Sequence, residues 1–219
     1  MRYHYLSDHA IEVQDEGHRD FGFYLALGNF LKMNHLSGLE DLSYTKTSLA
    51  VLFDPFRFDE AQWKSLLDIF EYDGSIAGSM LPEAIIPVCY EAEFAPDMKV
   101  LTHQLGLDRQ AVIDAHQAAL YTVVMYGFVP GFFYMDGLPG ILEIPRKSSP
   151  SLSIPEGSVA IAGLQCGIYP REVPGGWYVI GRTPRSFFDP GASSPFQVEV
   201  GQRVRFTAIT SHEFYHYHD

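Results

Sequence analysis

A two-part α+β fold is predicted for this chain of 219 residues, and three observations carry the prediction. Helical and strand periodicities alternate through the first third. Glycine and proline then punctuate short apolar stretches through most of the second half. Between the two parts, residues 73–82 hold two glycines and two serines, the composition of a linker.

The first part reads as follows. Residues 10–14 alternate as a short strand. Phe21, Tyr24, Leu25, Gly28 and Leu31 recur at helical spacing, so this segment is a helix with one core-facing stripe. Residues 39–45 and 49–53 read as a strand pair joined by a turn. Asp59, with Gln62 three residues on, resembles a capping box. It opens a second helix whose buried face is Leu66, Leu67 and Phe70. Residues 84–90 form a strand rich in Ile and Val. The order βαββαβ suits a ferredoxin-like split βαβ subdomain, and the boundary is placed between 1–83 and 84–219. In the second part, residues 96–105 are helical and Gly106 is their C-terminal cap. Asp108 caps the next helix, with Leu107 and Val112 spaced as a hydrophobic staple and His116 near the end. From Tyr121 onward, short strands separated by turn signals predict a closed or nearly closed β-barrel.

Composition excludes several functions. A net charge of −12 disfavours nucleic acid and anionic membrane surfaces as partners. The two cysteines, Cys89 and Cys166, have no metal-type spacing and suit a reducing cytoplasm. The N-terminus shows no apolar signal-peptide core. Residues 118–135 carry no charge, but Gly127, Pro130 and Gly131 interrupt them, which favours a buried strand and turn over a membrane span.

The second half carries an ordered series of blocks: Gly127-Phe128-Val129-Pro130-Gly131-Phe132, Pro155-Glu156-Gly157-Ser158-Val159, Gly163 to Pro170 around Gln165-Cys166-Gly167-Ile168-Tyr169, Pro174-Gly175-Gly176-Trp177, Gly181-Arg182-Thr183-Pro184 and Phe187-Phe188-Asp189-Pro190. Gly201 to Phe206 resembles a closing strand. In order and spacing these blocks resemble the family known as KipI, the B subunit of 5-oxoprolinase (PxpB) or allophanate hydrolase subunit 1. The resemblance is strong over residues 86–206 and weaker before. It implies that the barrel is cyclophilin-like. The sequence also departs from the family pattern. Glu91-Ala92-Glu93-Phe94-Ala95 replaces a glycine-rich segment, Phe133 replaces Pro, Ser151 replaces Arg and Cys166 replaces Thr. Losing an arginine removes a planar fork for carboxylate or phosphate.

Each candidate residue has a functional and a structural reading. His116 titrates near neutrality and suits proton transfer; alternatively it is a last-turn histidine favoured by the helix dipole. Gln165 presents an amide to a lactam or urea-like group, and Tyr169 a phenol with an apolar face; the plain alternative is turn architecture. Arg146 and Arg182, at positions matching family arginines, are anion clamps or surface ion pairs. Phe128, Phe132, Tyr134 and Trp177 line a pocket wall, or else belong to core and interface. Thr183 follows Arg182 in its block and is placed with the substrate-binding set. Cys166 reads as a small turn residue rather than a nucleophile. His212-Glu213-Phe214-Tyr215-His216 matches a zinc-protease spacing, but it reads as a disordered or edge-packing tail with no helix to carry it, and no metal is assigned. Pro174 to Trp177 reads as a β-turn linking barrel strands, not a phosphate loop.

The resemblance implies a cytoplasmic subunit of an ATP-dependent amidohydrolase that converts 5-oxoproline to glutamate. Its partners would be a PxpC (allophanate hydrolase subunit 2)-type protein and a PxpA (LamB/YcsF)-type protein. His116, Gln165 and Arg146 would be catalytic. Tyr169, Arg182, Thr183, Phe128 and Tyr134 would bind substrate. ATP would be used by the complex at a site not located on this chain, and the isolated chain would be inactive. The alternative is a KipI-like inhibitor that binds a sensor histidine kinase.

Overall fold

The structure is a computed structural model that describes residues 1–14, 20–74 and 82–218. It divides into two compact units, Met1–Ser79 and Met80–Asp219. The linker proposed at 73–82 falls mostly outside the described residues.

The first unit contains β1 (Arg2–Ser7), β2 (Ala10–Gln14), α1 (Phe21–Met33), β3 (Leu39–Tyr44), β4 (Leu49–Phe53) and α2 (Glu60–Ile69). The antiparallel sheet runs β1-β2-β4-β3. Alternation sends Ile11, Val13, Leu49, Val51 and Phe53 into the core. The Asp20 carboxylate accepts from the Phe23 amide and starts α1. Asp59 caps α2 by accepting from the Ala61 and Gln62 amides, but Gln62 does not close the box. Its Oε1 instead accepts from the Ser37 amide at 2.8 Å. The buried face of α2 is Trp63 and Leu66, with Leu67 and Phe70 only half-buried. Trp63 meets Tyr3 of β1 edge-on at 5.6 Å.

The split βαβ reading needs one correction. The strand at Ala84–Cys89 belongs to the barrel. The sheet position beside β2 is taken by β1, which sequence reasoning did not assign. Only Tyr3 of β1 is as much as half-buried, so β1 lacks the alternating burial that announces a strand.

The second unit holds β5 (Ala84–Cys89), α3 (Met98–Leu105), α4 (Arg109–Ala118), β6 (Tyr121–Tyr126), β7 (Phe133–Asp136), β8 (Ser151–Ile154), β9 (Ser158–Ala162), β10 (Gln165–Ile168), β11 (Val173–Gly175), β12 (Tyr178–Arg182), β13 (Arg203–Ile209) and α5 (Ser211–Tyr215). Seven strands close a barrel in the order β10-β7-β6-β13-β5-β12-β9, and closure leaves no open edge. The α+β class with a closed barrel is therefore as expected. β5 and β13 pair in parallel from Ala84↔Val204 to Cys89↔Ile209. β8 and β11 form a separate ribbon, so Pro174 to Trp177 joins that ribbon to β12 rather than linking two barrel strands. Gly106 ends α3 at φ 67°, a left-handed value at which a side chain would be strained. Asp108 accepts from the Ala111 amide at 2.8 Å and starts α4. The charge-free stretch 118–135 is the end of α4, β6 and the turn into β7. Among the described residues no helix is long and apolar enough to cross a membrane.

The tail differs from expectation. α5 is a short helix with a complete capping box between Thr210 and Glu213. It docks on the segment where the chain departs from the family pattern. The Ser211 amide donates to Glu91 at 2.8 Å, the Tyr215 hydroxyl donates to Glu93 at 2.5 Å, and Phe214 lies 4.4 Å from Phe94 between ring centroids. Phe94 is 4% exposed, so removing its cover exposes a full aromatic side chain. Truncation before Thr210 is expected to cost about 2 kcal/mol in urea unfolding. An unchanged midpoint would show that α5 does not hold this segment.

Candidate functional site

The barrel strands sort the candidate residues onto two faces. On β7 and β10, Phe133, Met135, Cys166 and Ile168 point into the barrel core. Their neighbours Phe132, Tyr134, Gln165, Gly167 and Tyr169 therefore point outward. β9 is buried along its whole length, because Val159 and Ile161 fill the barrel while Ala160 and Ala162 lie under an outer aromatic layer.

That layer is Phe132, Tyr134, Tyr169 and Trp177, with Phe128 at its rim. Phe132 stands edge-on to Tyr134 (4.8 Å), Tyr169 (5.2 Å) and Trp177 (5.7 Å), and Tyr134 meets Trp177 at 5.6 Å. Such geometry places ring edges against ring faces. Gly167 is required here for a reason other than ligand approach. A Cβ on it would sit 2.6 Å from Phe132 Cζ, so the space is taken by a ring. Gly175 likewise makes room for the Tyr169 hydroxyl, 2.3 Å from where its Cβ would be. Phe128 is 58% exposed and holds φ at 66°, a left-handed value uncommon for a bulky residue, so local strain presents this ring to solvent.

Polar groups border the same face. Lys147 Nζ donates to Asp97 Oδ2 at 2.8 Å and to Ser151 Oγ at 2.7 Å. The Val179 amide also donates to Asp97 Oδ2, at 2.8 Å. Asp97 stands at the N-cap of α3 yet makes no side-chain capping bond, so its carboxylate is committed to Lys147 and β12. The Lys147 amide donates to the Gly176 carbonyl at 2.7 Å, which lays the 146–150 segment beside Trp177. Tyr169 is the centre of this arrangement. Burial pushes its phenol up to about 12; a backbone hydrogen bond from Trp177 and the charge of Arg146 oppose that, while Tyr134 and Asp97 add to it. Tyr134 is raised by burial too, against the pull of Arg146. Sequence reasoning missed Asp97 and Lys147. The one local signal was Pro96-Asp97 in the altered 91–97 segment.

His116 lies on the other side of β10, inside the barrel and 0% exposed. Tyr90 Oη is 2.8 Å from its Nδ1, and Cys166 Sγ is 3.5 Å from its Nε2. With the phenol donating to Nδ1, the ring proton sits on Nε2 facing sulfur. Phe206 and Tyr121 enclose the ring at 4.4 and 5.3 Å. Burial alone drives the imidazole down to about 3, so it is neutral at physiological pH. The Cys–His contact exists, but burial raises the Cys166 thiol far above its ordinary value and no thiolate forms.

The remaining candidates stand elsewhere. Gln165 pairs with Asp136 across β10 and β7, its Nε2 3.5 Å from Asp136 Oδ1, on the outer face but about 13 Å of strand from Tyr169. Arg182 ends β12, about 13 Å along the strand from Tyr178 beside Lys147. Its Nε donates to the Glu156 carbonyl at 2.6 Å and its guanidinium covers Phe214 of α5 at 5.9 Å. Thr183 is buried and its hydroxyl accepts from the Arg185 amide. In the tail, His212 and His216 stack at 4.3 Å and Glu213 is held by the capping box. Among the described residues no group of three His, Cys, Asp or Glu is placed to hold a metal. Pro174 to Trp177 runs into a strand, so it lacks the helix N-terminus on which a phosphate loop depends.

Comparison with known proteins agrees with this architecture. A family model described as carboxyltransferase domain, subdomain C and D, matches residues 1–198. The B subunit of 5-oxoprolinase from Bacillus subtilis (strain 168) is 45% identical over 132 residues, 60% of this chain and 55% of that protein. The chain spans little more than half the length of the curated relatives it matches. The solved structure of TTHA0988 superposes with a TM-score of 0.78 at 31% identity, covering 92% of this chain and 40% of that one. The conserved uncharacterized protein PH0987 from Pyrococcus horikoshii superposes at 0.59 with 32% identity, over 97% of this chain and all of that one.

Proposed function

This chain belongs to the carboxyltransferase domain, subdomain C and D, family that includes KipI and the B subunit of 5-oxoprolinase, and on that basis we propose that it is one subunit of an ATP-dependent complex that opens 5-oxoproline to glutamate. A protein of the PxpC type and one of the PxpA type complete the complex. One observation carries the reading most directly: the aromatic layer of Phe132, Tyr134, Tyr169 and Trp177 is bordered by Arg146 and by the Asp97–Lys147–Ser151 cluster. Of these rings Tyr134 and the rim residue Phe128 reach the surface, and with the exposed Arg146 they offer a small cyclic amide bearing a carboxylate an apolar contact, a phenol donor and a cation.

Opening the lactam breaks its C–N bond; water adds oxygen to the carbonyl carbon, and the ring nitrogen gains a proton. ATP supplies the driving force. Among the described residues no glycine-rich loop opens an α-helix that could hold a nucleotide's phosphates. Tyr134, half-buried and protonated at neutral pH, donates to the amide oxygen, and the buried Tyr169 packs behind it against Phe132. Arg146 balances charge that builds on that oxygen. His116 is sealed inside the barrel, where proton exchange with a substrate on the outer face has no path. Its role is to hold β10 from behind through Cys166. Gln165 marks the far limit of the same face.

The test is ATP hydrolysis dependent on 5-oxoproline by this protein co-purified with the two partner types, each omitted in turn. Turnover that requires this chain is the expected result. A stable complex without turnover would overturn the substrate. Failure to form any complex would favour the sensor-kinase inhibitor.

A further inference from the structure

We infer that the first unit carries a binding site for a free α-amino acid, held by both of its charges: the carboxylate on Lys32 and Arg57, the ammonium on Asp54 and Glu40. The site is independent of the barrel face described above, and none of the residues placed in the reaction lies in this unit. A cleft of about 520 Å³ opens where the end of α1 meets the loop before β3 and the turn before α2. That volume takes a small amino acid. Its walls are clamped together. The Ser37 hydroxyl donates to the Arg57 carbonyl at 2.7 Å, and the Ser37 amide donates to Gln62 Oε1 at 2.8 Å. The Asp54 amide donates to the Gly38 carbonyl at 2.9 Å. Gly38 holds φ at 76°, and a Cβ on it would lie 2.7 Å from the Phe58 amide nitrogen, so the two loops close on each other with no room for a side chain. Leu36, 4% exposed, anchors the first loop from beneath. The cleft therefore has its shape before a ligand arrives, and binding there orders little of the chain.

The charges mark it as a site. Among the described cations of this unit, Lys64 pairs with Glu60 at 2.9 Å, and Arg2 and Lys46 also have partners. Lys32 and Arg57 have no carboxylate partner, and both border the cleft. Asp54 and Glu40 border it as well, and among the described residues neither is in an ion pair. Asp54 spends Oδ1 on the Phe56 amide at 2.9 Å and keeps Oδ2. Opposite charges gathered on one cleft but not joined leave room for a molecule that carries both. A simple anion there would meet two carboxylates, and a simple cation would meet a lysine and an arginine. A zwitterion satisfies both sets at once. The wall between the charges includes Ser37 and Gln62, so the side chain it suits is small and polar.

The experiment titrates the full chain with L-glutamine by calorimetry. N-acetyl-L-glutamine, which lacks the ammonium, and L-glutaminamide, which lacks the carboxylate, are the paired probes. Saturable binding of L-glutamine with a Kd below about 1 mM is expected, weakened at least about tenfold for each analogue by loss of a charge-assisted hydrogen bond. Lys32→Met/Arg57→Met should weaken L-glutamine at least about tenfold and leave L-glutaminamide as it was. Glu40→Gln/Asp54→Asn should weaken L-glutamine likewise and leave N-acetyl-L-glutamine as it was. The fold survives both pairs of changes, because position 57 clamps the loop through its backbone carbonyl and Asp54→Asn keeps an acceptor for the Phe56 amide. Urea midpoints equal to wild type check this. No heat of binding up to about 20 mM L-glutamine would overturn the inference. So would binding that neither pair of changes alters, which would place the ligand elsewhere. Equal affinity for L-glutamine and its N-acetyl derivative would reduce the cleft to an anion site and overturn the amino-acid assignment.

Discussion

Asp97→Ala is expected to lower the unfolding free energy by about 3 kcal/mol, the cost of stranding one charge of a half-buried pair. The Asp97 carboxylate accepts from both Lys147 Nζ and the Val179 amide, each at 2.8 Å. Removing it leaves a lysine that is 12% exposed with no counter-charge and an amide of β12 with no acceptor. No helix cap is lost, because Asp97 makes no capping bond to α3. Asp97→Asn keeps an acceptor for the Val179 amide but still leaves Lys147 without a counter-charge, so it should spare only about 1 kcal/mol of the Asp97→Ala loss. The measurement is urea unfolding, with a shifted midpoint and an unchanged slope. A midpoint equal to wild type would mean that solvent screens the pair as it screens surface pairs.

Acid sensitivity is the second large effect. His116 titrates near 6.5 when unfolded and is pushed down to about 3 by burial in the folded protein. Between those values the unfolded chain binds the proton and the folded chain does not. Stability is therefore complete above about pH 6.5 and falls as pH drops toward 3, by up to about 1.4 kcal/mol per pH unit from this one group. The groups facing the ring, Tyr90, Tyr121, Cys166 and Phe206, carry no charge in this range and cannot compensate. His116→Phe keeps a flat ring of similar reach and removes the titration. It leaves the Tyr90 hydroxyl unpartnered, so it should be less stable at pH 7 but should lose less between pH 6.5 and 4 than wild type does. Parallel pH profiles for the two proteins would show that the imidazole opens to solvent.

The elements that could be read in advance are those that local chemistry encodes. The helix from Arg109 announces itself by Asp108 and the Val112 spacing, and the one before it by Gly106 at its end. The barrel shows in short strands cut by glycine and proline. Phe128, Phe132, Tyr134 and Trp177 could be named beforehand as an aromatic cluster, but that they pack with Tyr169 on the outer side of the barrel wall could not. β1 was hidden because it buries almost nothing. The α5 helix was hidden because its capping box lies in a tail whose partners, Glu91, Glu93 and Phe94, are more than a hundred residues away.

The α+β class, the caps, the barrel and the family to which the chain belongs could all be read along the chain, since each rests on periodicity, turn chemistry or motif order. Which side of the barrel wall each candidate faces could not. Folding put His116 inside, where desolvation keeps it neutral, and Tyr169 on the outer side of the same wall, buried against Phe132. It joined Lys147 to Asp97 across fifty residues of chain and set the same ammonium on Ser151. The physical reason is that strand pairing and burial couple residues through space, and pairings at such separation leave no trace in local composition.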